Sequence, residues 1–593
     1  MATVAGALIV SGLSAVGPAA AAPRIPGADE QAVSWAQRTL RGMSLEEKVG
    51  QLFVADVWGK SADETDPGNQ TKYGVDTPAQ VVQRYHPGGV IYFNNSGTDN
   101  VDDPAQVARL SDGLQRAALS SGAHLPLIVS TDQEGGRVTR IAAPATEYPA
   151  SMAVGASRSA AGAKQLATIN GRELRAMGIN QDFAPDADVN SNPLNPVIGS
   201  RSFSADPALA SELVAAEVDG YQNSGPATET VSSAAKHFPG HGDAATDSHT
   251  GLPVISHTEQ QWREIDLPPF RSAIDAGTDV IMTAHITVPS LDPSGEPATL
   301  SKPIMTGILR GELGYDGVVV TDSLQMAGVR QLHPDSEIPV LALEAGVDQM
   351  LMPPDLGVAV NGVLDAVHSG RLTESRIDQS VLRILELKHK RGIVAKPFTG
   401  GRVDNTVGTA EHRAAIQQLT DKTTTVLRND PNLLPLKDSS GVLVTGWNNP
   451  AYPGYPAEPV NALATQLGGT ALPTGASPTA EQISRAVSAA GNAKTVVVLT
   501  NGLRTSQPQR DLVNALQATG KPVVAVSVQE PYDPGYADVP TWVATYDWRD
   551  VSMASLAKVL TGKISPQGRL PVNIPAGDDP NRILYSYGTG LTW

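Results

Sequence analysis

Between residues 36 and 395 the chain alternates short β-branched runs with longer helix-like stretches, and this repeat limits the fold more than any other feature. The strand-like runs are Gln51–Ala55, Gly89–Phe93, Pro126–Ser130, Asn180–Phe183, Ser232–Lys236, Val280–Ala284, Gly317–Thr321 and Val347–Met352. Helix-like segments such as Ala160–Met177, Pro207–Asn223 and Glu264–Ala276 lie between several of them. Eight repeats of strand then helix predict an α/β fold of the (β/α)8 barrel type. Propensity alone equally allows a doubly wound sheet, and the placing of polar residues favours the barrel. Asp132, Asp182, His237, His285 and Asp322 each fall at or just after the C-terminal end of a strand run. A barrel gathers all its strand ends at one mouth, so these side chains are expected to converge.

The pattern breaks at Lys396–Thr409, a Gly-rich polar linker. A second set of strand-like runs follows at Gly441–Thr445, Thr495–Thr500, Pro522–Ser527 and Thr541–Thr545, with helical stretches such as Thr479–Ala490 and Gln509–Thr519 between them. These predict a smaller α/β sandwich domain with helices on both faces of a parallel sheet. Residues 447–478, rich in Pro, Gly and Ala, read as a long loop. At the N-terminus, residues 4–16 form an apolar stretch too short to span a bilayer, followed by a small-residue region ending at Ala22. No Lys or Arg precedes it. The expected organisation is a signal peptide at 1–22, a barrel at 30–395, a linker at 396–409 and a second domain at 410–593, in a secreted or cell-wall-associated protein.

Composition removes several classes of function. Lys and Arg number 44 against 61 Asp and Glu, a formal charge of −17. Neither nucleic acid nor an anionic membrane is the expected partner, since both need a basic face. No later apolar run is long enough to cross a membrane. The chain has no cysteine, which excludes disulfides, thiolate metal sites and a Cys nucleophile. Nothing in the sequence fixes the oligomeric state, and a monomer is the simplest expectation.

The densest chemistry is in AKHFPGHGDAATDSH, residues 235–249, a loop broken by Pro239, Gly240 and Gly242 after the fifth strand run. It holds Lys236, His237, His241, Asp243, Asp247 and His249. One reading is a solvated turn with packed histidines, a second a His/carboxylate metal site, a third catalytic. In the third, the Asp247 carboxylate accepts a hydrogen bond from one ring nitrogen of His249 and makes the other a general acid/base. In GYDGVVVTDSLQM, residues 314–326, Asp322 either caps the following segment or serves as a barrel-mouth carboxylate. In STDQEGGRVTR, residues 130–140, Asp132 suits acceptance from sugar hydroxyls and Glu134 suits holding the turn. In IGSRSF, residues 198–203, Arg201 donates to hydroxyls or pairs with a carboxylate. A mouth lined by such groups suits a neutral, hydroxyl-rich ligand. A carboxylate and a proton donor flanking a glycosidic bond are the minimum for retaining hydrolysis.

These four stretches together closely resemble family 3 glycoside hydrolases, and the KHFPGHGD…DSH block resembles their β-N-acetylhexosaminidase branch. The resemblance covers the barrel and continues more weakly through DKTTTVLRNDPNLLPL and KISPQGRLPVNIP. It implies Asp322 as nucleophile, His249 as acid/base with Asp247 as its partner, and a terminal β-GlcNAc held by Asp132, Arg140, Arg201, Lys236 and His237. It implies no cofactor and no metal, and gives His241 and Asp243 a supporting role. Within the family the competing activity is that of a β-glucosidase or β-xylosidase, whose branch takes its acid/base Glu from the second domain; Glu458, Glu481 and Glu530 are the candidates here. The same residues also allow a phosphorylase releasing GlcNAc 1-phosphate, or a carbohydrate-binding protein without activity.

Overall fold

The computed structural model describes residues 29–593 apart from Ser96 and Pro453. The expected signal peptide lies outside the described residues. Eight strands form at the expected places: β1 Phe53–Asp56, β2 Gly89–Ile91, β3 Ile128–Thr131, β4 Gln181–Asp182, β5 Ser232–Phe238, β6 Val280–Thr283, β7 Val318–Val320 and β8 Met350–Leu351. Neighbours pair in parallel in the order β7-β6-β5-β4-β3-β2-β1-β8. A further parallel bridge from Val320 to Gln349 joins the two ends of this sheet, so the ring closes as a barrel. Runs such as Val318–Val320 are apolar at every position because each residue is buried, whether it faces the interior or the helix layer.

The barrel helices named from the sequence form as expected with one change. The stretch expected as a single helix at Glu264–Ala276 is two, Glu259–Ile265 and Leu267–Asp275, meeting at Asp266. Pro268 and Pro269 have no N–H to continue the first helix and instead suit the first turn of the second.

The second sheet contains β9 Thr425–Asn429, β10 Val442–Gly446, β11 Thr470–Pro473, β12 Thr495–Thr500, β13 Val523–Ser527 and β14 Thr541–Ala544, in the order β11-β10-β12-β13-β14-β9. All pairs are parallel except β14 with β9. A hairpin of β15 Ile574–Ala576 and β16 Asp579–Tyr585 follows. The period of two divides each strand between two cores: Val496 and Val498 face one, Val497 and Leu499 the other. Met152, Ala153 and Ala156, from the barrel helix Ser151–Ser157, complete the first of these cores, so the two domains share buried apolar surface.

The long loop expected at 447–478 is a misreading. It contains the helix Pro459–Leu467 and strand β11. Pro459 stands in the first turn of that helix, and Gly468 ends it at φ 65°. The Pro and Gly that suggested a loop are the punctuation of a helix.

Candidate active site

A cavity of about 390 Å3 opens at the C-terminal ends of the barrel strands. Asp132, Arg140, Arg201, Lys236, His237, His249 and Asp322 all line it, together with Glu134, Phe93, Gln325 and Met326. Asp247, the remaining expected site residue, reaches the cavity only through His249.

Part of the lining is a network of buried charges. Lys236, the fifth residue of β5, donates from Nζ to Asp132 Oδ1 at 2.8 Å and lies 2.6 Å from Glu134 Oε1. Arg201 donates twice to Glu134, from Nε to Oε2 and from Nη2 to Oε1, each at 2.8 Å. The same Nη2 lies 3.3 Å from His237 Nε2. His237 Nδ1 is 2.7 Å from Asp188 Oδ2. Arg140 Nη2 stands 3.6 Å from Asp132 Oδ2, with the guanidinium over the Phe93 ring at 5.0 Å. Burial opposes ionisation of Glu134, but Arg201 and Lys236 outweigh it and hold its carboxyl well below the usual carboxylate range. For Lys236, burial favours the neutral amine, and Asp132 and Glu134 overcome this and keep it charged. Such an array offers fixed donors and acceptors to sugar hydroxyls.

Asp322 and His249 line the same cavity. Asp322 follows β7, and its Oδ1 accepts from the Ser323 amide at 2.7 Å. Burial would raise its pKa; the rings of His237, His285 and His249 and the Ser323 amide outweigh that and hold it below the usual value. The carboxylate is therefore ionised at neutral pH, as a nucleophile must be. His249 Nδ1 lies 2.7 Å from Asp247 Oδ1, which also accepts from the His249 amide at 2.9 Å. The His249 side chain is 60% exposed, with Nε2 free of any protein partner among the described residues.

The loop that carries this pair is held from several sides. Trp262 Nε1 donates to Pro239 O at 2.9 Å. Asp188 Oδ1 accepts from the His241 amide at 2.7 Å, and His241 Nε2 is 2.9 Å from Ser248 Oγ. Burial pushes the His241 ring down to about 4, so it is neutral at working pH. Gly242 is needed because a Cβ there would lie 1.8 Å from Val189 O. The segment after Asp322 is tied to the loop: Gly328 N donates to Ser248 O at 3.0 Å and Ala327 N to His249 O at 3.4 Å.

Two expected mouth residues are not in the cavity. Asp182 faces the helix layer, where Asn170 Nδ2 donates to it at 3.2 Å and the Gln133 amide at 2.9 Å; burial pushes it up to about 7. Alternation along β4 sends this side chain outward. His285 sits beneath the site, between Thr299 Oγ1 at 2.8 Å and Ser323 O at 3.0 Å. Glu134, read only as a turn support, is the centre of the charge network. Asp188 was missed. Its signal was the run DFAPDADVN, with acidic residues placed just beyond β4.

Among the described residues, Asp186, Asp188 and His237 bring possible ligand atoms within 4.8 Å of one another. The Arg201 guanidinium stands 3.7 Å from Asp186 Oδ2 and 3.3 Å from His237 Nε2, so a positive charge lies beside this cluster. The candidate acid/base carboxylates of the second domain do not reach the cavity. Glu458 and Glu481 are exposed, at or near the starts of helices, and Glu530 accepts from Ser200 Oγ at 3.2 Å and Gln529 Nε2 at 3.1 Å. Among the described residues, no cavity-lining residue comes from the second domain.

The profile of the glycosyl hydrolase family 3 N-terminal domain matches residues 44–387, and that of the family 3 C-terminal domain matches residues 424–593. The chain belongs to glycosyl hydrolase family 3. Beta-hexosaminidase A of Pseudoalteromonas piscicida is 39% identical over 62% of this family 3 chain and 63% of its own length. The chain therefore spans less than two thirds of that relative. A protein of Cellulomonas fimi named beta-N-acetylglucosaminidase/beta-glucosidase is 29% identical, over 69% of each chain. A solved family 3 β-N-acetylglucosaminidase from a Paenibacillus species superposes with a TM-score of 0.82 at 36% identity, covering 91% of this chain and all of that one.

Proposed function

We propose that this protein is a retaining, exo-acting β-N-acetylglucosaminidase that removes terminal β-linked GlcNAc by double displacement. The observation that supports the reading is that Asp322 and His249, the latter paired with Asp247, line one cavity that among the described residues no carboxylate of the second domain lines. The names of the relatives above agree with it. Asp322 attacks the anomeric carbon while His249 gives a proton from Nε2 to the departing oxygen. Water then opens the glycosyl ester, with His249 taking the proton back. Asp247 holds the ring through Nδ1 and stabilises its charged form. Asp132, Glu134, Arg140, Arg201, Lys236 and His237 grip the hydroxyls of the sugar.

The apolar run and small-residue region within residues 4–22 support export. Export favours GlcNAc–MurNAc fragments of the cell wall or chitin oligosaccharides as substrate, and so a part in peptidoglycan turnover. The test is product analysis on muropeptides, chitobiose and the nitrophenyl glycosides of GlcNAc and glucose, with and without phosphate. Release of free GlcNAc, with the glucoside far slower, is the expected result. A dominant glucosidase activity overturns the sugar assignment, and phosphate-dependent formation of a sugar 1-phosphate overturns hydrolysis.

A further inference from the structure

Two barrel loops build the sugar-gripping part of the cavity, and both are held from behind by the second domain. The first is the turn after β3, which carries Asp132 and Glu134 on one side and Arg140 on the other. Its Gly136 carbonyl accepts two hydrogen bonds from Arg549, from Nε at 2.8 Å and Nη2 at 2.6 Å. Arg549 is buried and precedes the helix Asp550–Leu560 of the second domain. Its guanidinium lies on the Tyr455 ring at 4.0 Å, and the Tyr455 hydroxyl donates to Glu147 Oε1 at 2.6 Å. The second loop is Ile198–Arg201. Glu530, just beyond β13, accepts from Ser200 Oγ at 3.2 Å and stands 4.0 Å from Arg137 Nη1. Asn190, whose Oδ1 accepts from Gly199 N at 3.1 Å, donates from Nδ2 to the Tyr532 hydroxyl at 2.8 Å.

These loops carry Glu134 and Arg201, the two partners of the bidentate pair at the centre of the network. Two parallel hydrogen bonds tolerate little displacement, so whatever fixes the spacing of the loops fixes the pair. We propose that the second domain splints the sugar-gripping part, with Arg549 and Glu530 as positioning residues that set affinity for the terminal sugar without touching it. This rests on the assignment of the cavity to GlcNAc. It gives the second domain a part in the reaction other than supplying an acid/base.

A separate domain contact serves as control. Arg158, at the end of the barrel helix Ser151–Ser157, donates from Nη2 to Leu570 O at 2.6 Å and from Nη1 to the Tyr587 hydroxyl at 2.5 Å, and it lines no part of the cavity. The experiment compares the full-length protein with Arg549→Ala, Arg549→Lys, Glu530→Gln and Arg158→Ala. It measures hydrolysis of nitrophenyl GlcNAc, inhibition by free GlcNAc and the thermal midpoint. Arg549→Ala is expected to raise KM and the GlcNAc inhibition constant about tenfold or more, with kcat less affected. Added guanidinium at low millimolar concentration should restore part of the lost affinity, which a merely structural defect would not allow. Glu530→Gln should move both constants the same way by less, and Arg158→Ala should lower the thermal midpoint without moving them. If Arg549→Ala does not fold, Arg549→Lys and Glu530→Gln are judged by the same constants. An active wild type whose Arg549 and Glu530 variants keep the GlcNAc constant within about twofold overturns the splint alone, as does an equal rise in Arg158→Ala. A wild type that neither cleaves the GlcNAc glycoside nor binds GlcNAc overturns the cavity assignment as well.

Discussion

In the buried charge network Lys236 and Glu134 are each 2% exposed in their side chains and Arg201 is 11% exposed, and every charge among them meets an opposite charge. His249, by contrast, is 60% exposed, on a loop, and tied through its ring to Asp247 alone among the described residues. Both groups are built of ionisable side chains; the difference in burial suits different tasks. A group that grips hydroxyls works best when fixed, and burial holds it fixed once the charges are paired. A group that gives a proton to a departing sugar and then activates water must be reached by both, and cannot be buried.

The comparison can be broken from either side. Asp322→Asn should lower hydrolysis of nitrophenyl GlcNAc by roughly three orders of magnitude or more while leaving the fold intact, since the amide is nearly isosteric. Activity within tenfold of wild type would remove Asp322 from the nucleophile's place. His249→Ala should slow natural disaccharides by roughly 10²–10⁴-fold, because a sugar leaving group needs the proton. An aryl glycoside should suffer less in the first step, and azide should speed release of the accumulated intermediate. Equal losses on both substrates without azide rescue would assign His249 to binding.

Glu134→Gln probes the buried network through stability. Removing one partner from a buried charge network costs about 3–5 kcal/mol, read as a lower midpoint in chemical denaturation. Asp247→Asn, in the exposed pair, should leave that midpoint nearly unchanged and slow the enzyme roughly 10–100-fold through a misoriented ring. If Asp247→Asn destabilised as much as Glu134→Gln, the contrast between the two groups would be lost. The smallest effect is on pH dependence. The carboxyl of Glu134 is held below its unfolded value of about 4.3, so its contribution to stability is complete above that pH and lost as pH falls toward the folded value. Glu134→Gln should therefore flatten the acid limb of the stability profile, and an unchanged limb would deny the pairing its role.

The barrel was legible because strands such as Val280–Thr283 and Val318–Val320 are short apolar runs, as burial on both faces demands, followed by polar residues. That Asp132, Arg140, Arg201, Lys236, His237, His249 and Asp322 line one cavity was legible because loops rarely gather such groups. Glu134 was visible but misjudged: its partner Arg201 lies 67 positions away, and no local pattern shows the pair. The helix at Pro459–Leu467 was hidden by the residues that begin and end it. Contact of the second domain with the site was not legible at all, since Arg549 and Gly136 are 413 residues apart.

The central claim is that Asp322 forms the covalent bond to the sugar while a histidine moves the proton. Its most direct test is mass-spectrometric mapping of the full-length protein after inactivation by a fluorinated GlcNAc donor whose deglycosylation is slow. The account predicts a single glycosyl ester on the peptide holding Asp322, formed more slowly in His249→Ala than in wild type when the leaving group is poor. A label on any other carboxylate, Glu530 included, or inactivation of Asp322→Asn at the wild-type rate would contradict it.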